Sequence, residues 1–259
     1  MLNLLKRKVR EWEQAGRYPL VTRGLTYIWV QLHNFRDRMF IGRVPSSLSE
    51  GTFPVAVEQA VTEILNGKTG KGVRPMQVPS ELTRLIELVQ SKSPKTVLEI
   101  GTARGGTLLL LCRFAAPDAT IISIDLPYAR NGGGYPRWKE KIYRSFAGKE
   151  QTLHLLRANS HLPETREQVD AILQGRTIDF MLIDADHSYE GVKTDYEMYS
   201  ALASEGGIVA LHDVLVNTTD PSIDVNRFWK ELEANDALST ETIYGALDQG
   251  HSGIGVVRT

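Results

Sequence analysis

The chain has 259 residues, of which 42% are hydrophobic and 24% charged, enough to bury one large core with an extension beside it. A formal net charge of −1 excludes a globally basic nucleic-acid binder, so no nucleic-acid partner is expected. The single Cys112 excludes an internal disulfide, and no apolar run reaches the ~18 residues of a membrane span or forms a signal-peptide pattern, so a soluble cytoplasmic protein is expected.

Residues 1–40 read as helical. Over residues 1–50 there are nine Lys/Arg against four Asp/Glu, with Trp12, Tyr18, Tyr27, Trp29, Phe35 and Phe40 among them. That pattern suits an amphipathic extension packed on the main domain or on a second subunit, as in a homodimer. The alternative is a basic-aromatic surface for peripheral contact with an anionic membrane or a lipid-linked substrate. A loop is expected from Gly42 to Pro54 and a short helix over 54–66. A mobile glycine-lysine turn follows from Asn66 to Gly72, whose spacing fails G-x-x-x-x-G-K-[ST] and which no strand precedes. A helix over 79–91 is expected to take Ser80 as its N-cap. The domain division is a helical N-terminal extension, 1–90, and a catalytic domain, 91–259.

From Lys95 strands and helices alternate. Strands are predicted near 96–100, 120–125, 152–157, 178–184 and 207–212, and helices near 105–115, 136–147, 163–174 and 188–203. Runs such as Phe180-Met181-Leu182-Ile183 are apolar without alternation, as strands covered on both faces should be. The fold class is therefore α/β, a doubly wound, mostly parallel sheet. Cys112 falls in a leucine-rich helix and should lie in the core, and His33, His154 and His251 are expected to be structural or superficial.

Ligands of such sheets gather at the carboxyl ends of the strands. Glu99 and Gly101, Asp125, Asn159 and Ser160, Asp184 and Asp186, and His212 and Asp213 all fall there. The segment Val97-Leu98-Glu99-Ile100-Gly101-Thr102-Ala103-Arg104-Gly105-Gly106-Thr107 reads as strand, tight loop and helix start, an arrangement that holds an adenosine cofactor against backbone N–H groups. Asp125 ends the next strand, where a carboxylate can accept both ribose hydroxyls. A nicotinamide enzyme would carry glycine where Ala103 stands. Glu99 two positions before Gly101 suits a positively charged cofactor without phosphate, such as S-adenosylmethionine.

Asp184, His212 and Asp213 end adjacent predicted strands and could share one divalent ion. Carboxylates and water suit Mg²⁺ or Mn²⁺, and an imidazole tilts the set toward Mn²⁺, Fe²⁺ or Zn²⁺. His187, beside Asp186, is the candidate general base. His161 lies where a helix starts and is expected to cap it or to sit at the cofactor mouth. The glycine loop 131–136 is expected over that mouth, with Tyr135, Arg137 and Trp138 toward a sugar-like acceptor.

Residues 95–258 resemble the class I S-adenosylmethionine-dependent methyltransferases. Within them they are similar to the branch of cephalosporin-biosynthesis and macrolide-sugar or rhamnosyl O-methyltransferases. The resemblance is carried by Val97–Thr107, Ser123-Ile124-Asp125-Leu126-Pro127, Gly132-Gly133-Gly134-Tyr135-Pro136 and Asn159-Ser160-His161. It continues in Ile183-Asp184-Ala185-Asp186-His187-Ser188-Tyr189-Glu190-Gly191-Val192, Leu211-His212-Asp213, Arg227-Phe228-Trp229 and Gly253-Ile254-Gly255-Val256. It implies a seven-stranded Rossmann-like sheet whose last pair is a hairpin from 238–245 and 252–258. It also implies that Glu99, Gly101, Thr102, Gly105 and Thr107 line the methionine end of the cofactor. Asp125 would hold the ribose and Asn159 and Ser160 the adenine edge, Asp184 and Asp186 would also bind the cofactor, and Asp184, His212 and Asp213 would hold the metal. Two positions depart from the pattern: Asn159, where many relatives are acidic, and His212, where the first member of the pair is often acidic.

The implied function is metal-assisted O-methyl transfer from S-adenosylmethionine to a vicinal-diol or catechol-like hydroxyl, on a glycosyl unit of a secondary metabolite or lipid. The alternatives are an NAD-dependent oxidoreductase, a non-haem iron hydroxylase using His187, His212 and Asp213, and a non-catalytic cofactor-binding partner.

Overall fold

The computed structural model describes residues 56–66, 72–127, 134–245 and 252–259. The expectations for residues 1–55, for most of the 66–72 turn, for residues 131–133 of the glycine loop, and for His33 and His251 lie outside the described residues.

Seven strands form one sheet in the order β3-β2-β1-β4-β5-β7-β6. They are β1 (Thr96–Ile100), β2 (Thr120–Ile124), β3 (Thr152–Leu156), β4 (Ile178–Ile183), β5 (Ala203–His212), β6 (Ser239–Ile243) and β7 (Ile254–Arg258). The first five pair in parallel, and β7 runs antiparallel between β5 and β6. This is the mostly parallel seven-stranded sheet with a terminal hairpin that the sequence resemblance implies. The chain starts at β1 and winds outward to β3, then returns to place β4 on the other side of β1. Crevices for ligands open at such a reversal, outside the carboxyl ends of the two strands.

The helices are α1 (Val57–Leu65), α2 (Pro79–Lys92), α3 (Gly106–Phe114), α4 (Glu140–Arg144), α5 (Pro163–Leu173), α6 (Tyr189–Tyr199) and α7 (Val225–Glu233). Neighbouring strand residues face opposite layers, so each strand feeds two cores. Val97, Ile121, Phe180 and Ile208 pack with α1–α4, whereas Leu98, Ile122, Met181 and Val209 pack with α5–α7. Cys112 is buried in the first of these cores, as expected.

Three local expectations are corrected. Ser80 is not the cap of α2: Pro79 opens the helix, with its ring already set to helical φ, and Val78 precedes it in extended conformation with no side-chain cap bond. The predicted helix over 136–147 is a single 3₁₀ turn, Arg137–Lys139, followed by the short α4. The predicted helix over 188–203 ends at Tyr199 and tightens into a 3₁₀ turn before β5. Its N-cap is Ser188, whose hydroxyl accepts from the Gly191 N–H at 3.1 Å.

Candidate active site at the carboxyl edge of the sheet

The loop after β1 turns sharply because Gly101 and Gly105 take positive φ, +100° and +76°. Ala103 between them is also left-handed, at φ 44°. The turn brings the Ala103 N–H to Asp125 Oδ2 at 2.7 Å, while the Gly134 N–H donates to Asp125 Oδ1 at 3.0 Å. Asp125 is thus fixed at the end of β2 with both oxygens oriented. Burial pushes its carboxyl up to about 6, against the pull of those backbone N–H groups.

Glu99 lies beneath the loop and is fully buried. Its Oε2 accepts from Ser123 Oγ at 3.0 Å, and Ser123 in turn contacts the Thr102 hydroxyl. Among the described residues its Oε1 has no hydrogen-bond partner. Burial pushes this carboxyl up to about 8, so without a cationic neighbour it is largely protonated at neutral pH.

Asp184 follows β4, directly across the reversal from Gly101, and His212 and Asp213 follow β5. Consecutive residues of an extended strand point to opposite faces. Asp213 escapes that rule because its φ is +61°, a left-handed turn that Asp tolerates better than most residues. Both side chains therefore reach Asp184. His212 Nδ1 lies 3.2 Å from Asp184 Oδ1 and 3.4 Å from Asp213 Oδ1. His187 completes the cluster, with Nδ1 2.7 Å from Asp213 Oδ2 and Nε2 3.8 Å from Asp184 Oδ1.

Among the described residues neither ring nitrogen of His212 makes a hydrogen bond of normal geometry despite this closeness. Donor atoms that share one cation, each about 2.1 Å from it, sit roughly 3 Å apart with their lone pairs converging on a third point. Ligand atoms of Asp184, His212 and Asp213 all lie within 4.8 Å of one another, so the three residues fit a divalent cation. Burial opposes charge on His212, but Asp184 and Asp213 raise its pKa well above the ordinary range. His187 is raised as well, against its own burial, by Asp213 and Asp184. Burial works to raise both carboxyls, yet the imidazoles hold them below the ordinary range.

The structure thus brings together Glu99, Gly101, Thr102, Gly105, Thr107, Asp125, Asp184, His187, His212 and Asp213 at one edge. Asn159 and Ser160 lie past β3 on the same edge. Asn159 Oδ1 accepts from the His161 N–H at 3.1 Å, and the Ser160 carbonyl accepts from Tyr199 Oη at 2.8 Å. His161 does not cap α5. It pairs with the buried Asp195 of α6 at 3.4 Å, which ties the turn after β3 to that helix. Asp186 is engaged locally, its Oδ1 accepting from the Ser188 N–H at 3.0 Å. Tyr135 does not face an acceptor: it is buried edge-on against Tyr143, with ring centroids 4.7 Å apart.

Two residues of the site escaped sequence reasoning. Gln77 donates through Nε2 to Asp184 Oδ2, and the fully buried Glu81 accepts from the Gly253 N–H at 3.0 Å. Glu81 left one trace in the sequence, an acidic residue on the same helical stripe as Leu85 and Val89.

The comparisons with known proteins agree with this geometry. Residues 98–214, the span from β1 to the residue after Asp213, match the methyltransferase domain family. The match covers a little under half of the chain. The uncharacterized protein y4gI of Sinorhizobium fredii (strain NBRC 101917 / NGR234) is 25% identical over 150 residues, covering 57% of this chain and only 16% of that protein. Among solved structures, an O-methyltransferase from Bacillus cereus in complex with SAH aligns over 85% of this chain and 98% of its own, with 18% identity and a TM-score of 0.54. The O-methyltransferase TomG from Streptomyces achromogenes, involved in tomaymycin synthesis and solved with SAM, aligns over 83% and 93% with 17% identity and a TM-score of 0.54. At such identities the likeness is one of fold, that of a seven-stranded, mostly parallel sheet. Among the described residues no helix is long and apolar enough to cross a membrane.

Proposed function

We propose that the methyltransferase domain transfers a methyl group from S-adenosylmethionine to a hydroxyl of a small molecule, with a divalent cation, Mg²⁺ or Mn²⁺, held by Asp184, His212 and Asp213. The observation that carries this reading is the contact between the two halves of the site. Gly101 of the cofactor loop lies against the Asp184 backbone, so a cofactor on the loop and an acceptor on the cluster would be direct neighbours.

The residues fit such a cofactor. The free, buried oxygen of Glu99 is an acceptor for an ammonium group, and Asp125 presents an oriented carboxylate to ribose hydroxyls. Asn159 and Ser160 would hold the adenine edge, and Asp186 would be a further contact for the cofactor. The cofactor supplies a methyl group already activated on a sulfonium, so the protein has to align the nucleophile and remove its proton. A cation in the cluster would lower the pKa of an acceptor hydroxyl. His187 takes that proton, and Asp213, 2.7 Å from its Nδ1, orients the ring and stabilises the imidazolium that forms. Two neighbouring hydroxyls, as in a sugar diol or catechol, best suit a cluster with several ligand positions left over. The y4gI match and the TomG fold both leave the acceptor open.

Calorimetric titration with S-adenosylhomocysteine and with NAD⁺, each with and without Mn²⁺, tests the reading. Micromolar binding of S-adenosylhomocysteine alone, lost in Asp125→Ala, supports it. Binding of NAD⁺ alone overturns it. Retention of Fe²⁺ with oxygen consumption would replace it by the hydroxylase reading that His187, His212 and Asp213 also permit.

A further inference from the structure

We propose that Gln77 is a positioning residue that divides the labour of the Asp184 carboxylate, tying Oδ2 back so that Oδ1 alone faces the His187, His212 and Asp213 cluster. The inference rests on the reading of that cluster as the reaction centre. Gln77 comes from the segment between α1 and α2, to which sequence reasoning assigned no chemistry.

The side chain amide is fixed on both of its ends. Its Oε1 accepts from Thr107 Oγ1 at 2.9 Å and from the Met76 N–H at 3.2 Å. With the oxygen so occupied, the NH₂ group is forced toward Asp184, and Nε2 donates to Oδ2. The supporting backbone is equally constrained. A Cβ on Gly106 would sit 2.0 Å from the Pro75 nitrogen, so glycine at the start of α3 lets the 74–77 segment lie directly on the cofactor loop's helix. Gln77 is itself buried.

The consequence is geometric. A free aspartate can rotate and offer either oxygen or both. With Oδ2 held by the amide, only Oδ1 stands 3.2 Å from His212 Nδ1 and 3.8 Å from His187 Nε2. Asp184 is thereby limited to a single-oxygen contact with whatever the cluster binds. Thr107 is the first residue but one of α3, so the same amide links the cofactor side of the site to the acceptor side. Partners of this kind behind a metal-binding carboxylate typically change metal affinity about 10–100-fold when removed.

The test uses the full chain without metal, and reads the imidazole nitrogen and proton resonances of His187 and His212, identified by their loss in His187→Gln and His212→Gln. Gln77→Leu is expected to shift both sets, because Asp184 can then turn its carboxylate. In an Asp184→Ala background the same substitution is expected to shift neither. Unchanged resonances in Gln77→Leu, or equal shifts with and without Asp184, would overturn the proposal. If Gln77→Leu does not fold, Gln77→Met, which keeps the length of the side chain and has no donor for Oδ2, is read in the same way. Mn²⁺ affinity is then measured, and Gln77→Leu is expected to weaken it about 10–100-fold. A wild-type protein that binds no Mn²⁺ would sink the metal reading above, while the imidazole resonances still decide the role of Gln77.

Discussion

Gly101 touches the backbone of Asp184 so closely that a Cβ there would lie 1.9 Å from the Asp184 carbonyl oxygen. The two residues follow β1 and β4, adjacent strands on either side of the reversal in the sheet. Gly101 also has φ +100°, which L side chains rarely adopt. Gly101→Ala should therefore cost about 3 kcal/mol or more from strain and overpacking together. The expected result is a lower Tm and loss of S-adenosylhomocysteine binding. A variant with wild-type Tm would show that the loop can retreat from β4.

Glu99 sets a pH dependence with a definite sign. Its carboxyl rises from the usual 4.5 to about 8 in the folded protein, chiefly through burial. The stability tied to its proton is complete below 4.5 and is lost as pH rises through about 8. Glu99→Gln should match wild type near pH 4.5 and gain thermal stability over it at pH 8–9 in the cofactor-free protein. The same change should weaken binding of S-adenosylmethionine, whose ammonium loses a carboxylate partner. A wild-type protein whose Tm does not fall relative to Glu99→Gln across this range would contradict the assignment.

Asp125 titrates in a lower window. Its carboxyl rises from 3.8 to about 6, again through burial, so its protonated form favours the fold at acid pH and that contribution is gone above about 6. Ribose hydroxyls need the ionised carboxylate as acceptor. Affinity for S-adenosylhomocysteine should thus fall as pH drops through about 6, and calorimetry should find this step missing in Asp125→Asn. That variant should bind about 10–100-fold more weakly at pH 7.5, the range for losing hydrogen bonds to a charged group.

His187→Gln should separate catalysis from binding. General-base removal typically costs about 10²–10⁴-fold in turnover. Affinity for S-adenosylhomocysteine should stay within threefold of wild type, since His187 contacts Asp184 and Asp213 rather than the cofactor loop. With an accepting hydroxyl identified by screening, single-turnover methyl transfer measures the loss. Equal loss of cofactor binding would make His187 part of the cofactor wall instead.

Glu81 holds the hairpin to the site. It is buried on α2 and accepts from the Gly253 N–H, and burial raises its carboxyl despite that bond. Glu81→Leu leaves a buried N–H without acceptor and should destabilise by about 1–3 kcal/mol. Glu81→Gln keeps an acceptor and should have a Tm equal to wild type or higher at pH 8. The difference between the two variants, read by thermal melts, isolates the bond to Gly253 from simple packing.

Much of the site was legible because parallel strands deliver their carboxyl ends to one edge. Once the apolar runs around Leu98, Ile122 and Met181 are read as strands, Gly101, Asp125 and Asp184 must lie near one another. Ser80 misled because a serine just before an apolar stripe looks like a cap, while Pro79 competes for the same end with a ring that needs no hydrogen bond. Tyr135 misled because its neighbours are glycines. Its ring instead fills the space beside Tyr143, whose own edge lies where a Cβ on Gly105 would reach it at 2.6 Å.

The sequence by itself determined the strands, the glycine loop after β1, and the polar residues at five strand ends, because each depends on local periodicity and short spacing. Tertiary structure decided what no local pattern encodes. Asp213 had to turn left-handed before two successive side chains could face one cluster. His187 had to fold back from the start of α6 to reach Asp213. Gln77 and Glu81 meet partners 107 and 172 residues away in the chain. Such contacts are set by how α2 and its preceding segment dock on the sheet, and docking is a property of packed surfaces rather than of the residues that happen to meet there.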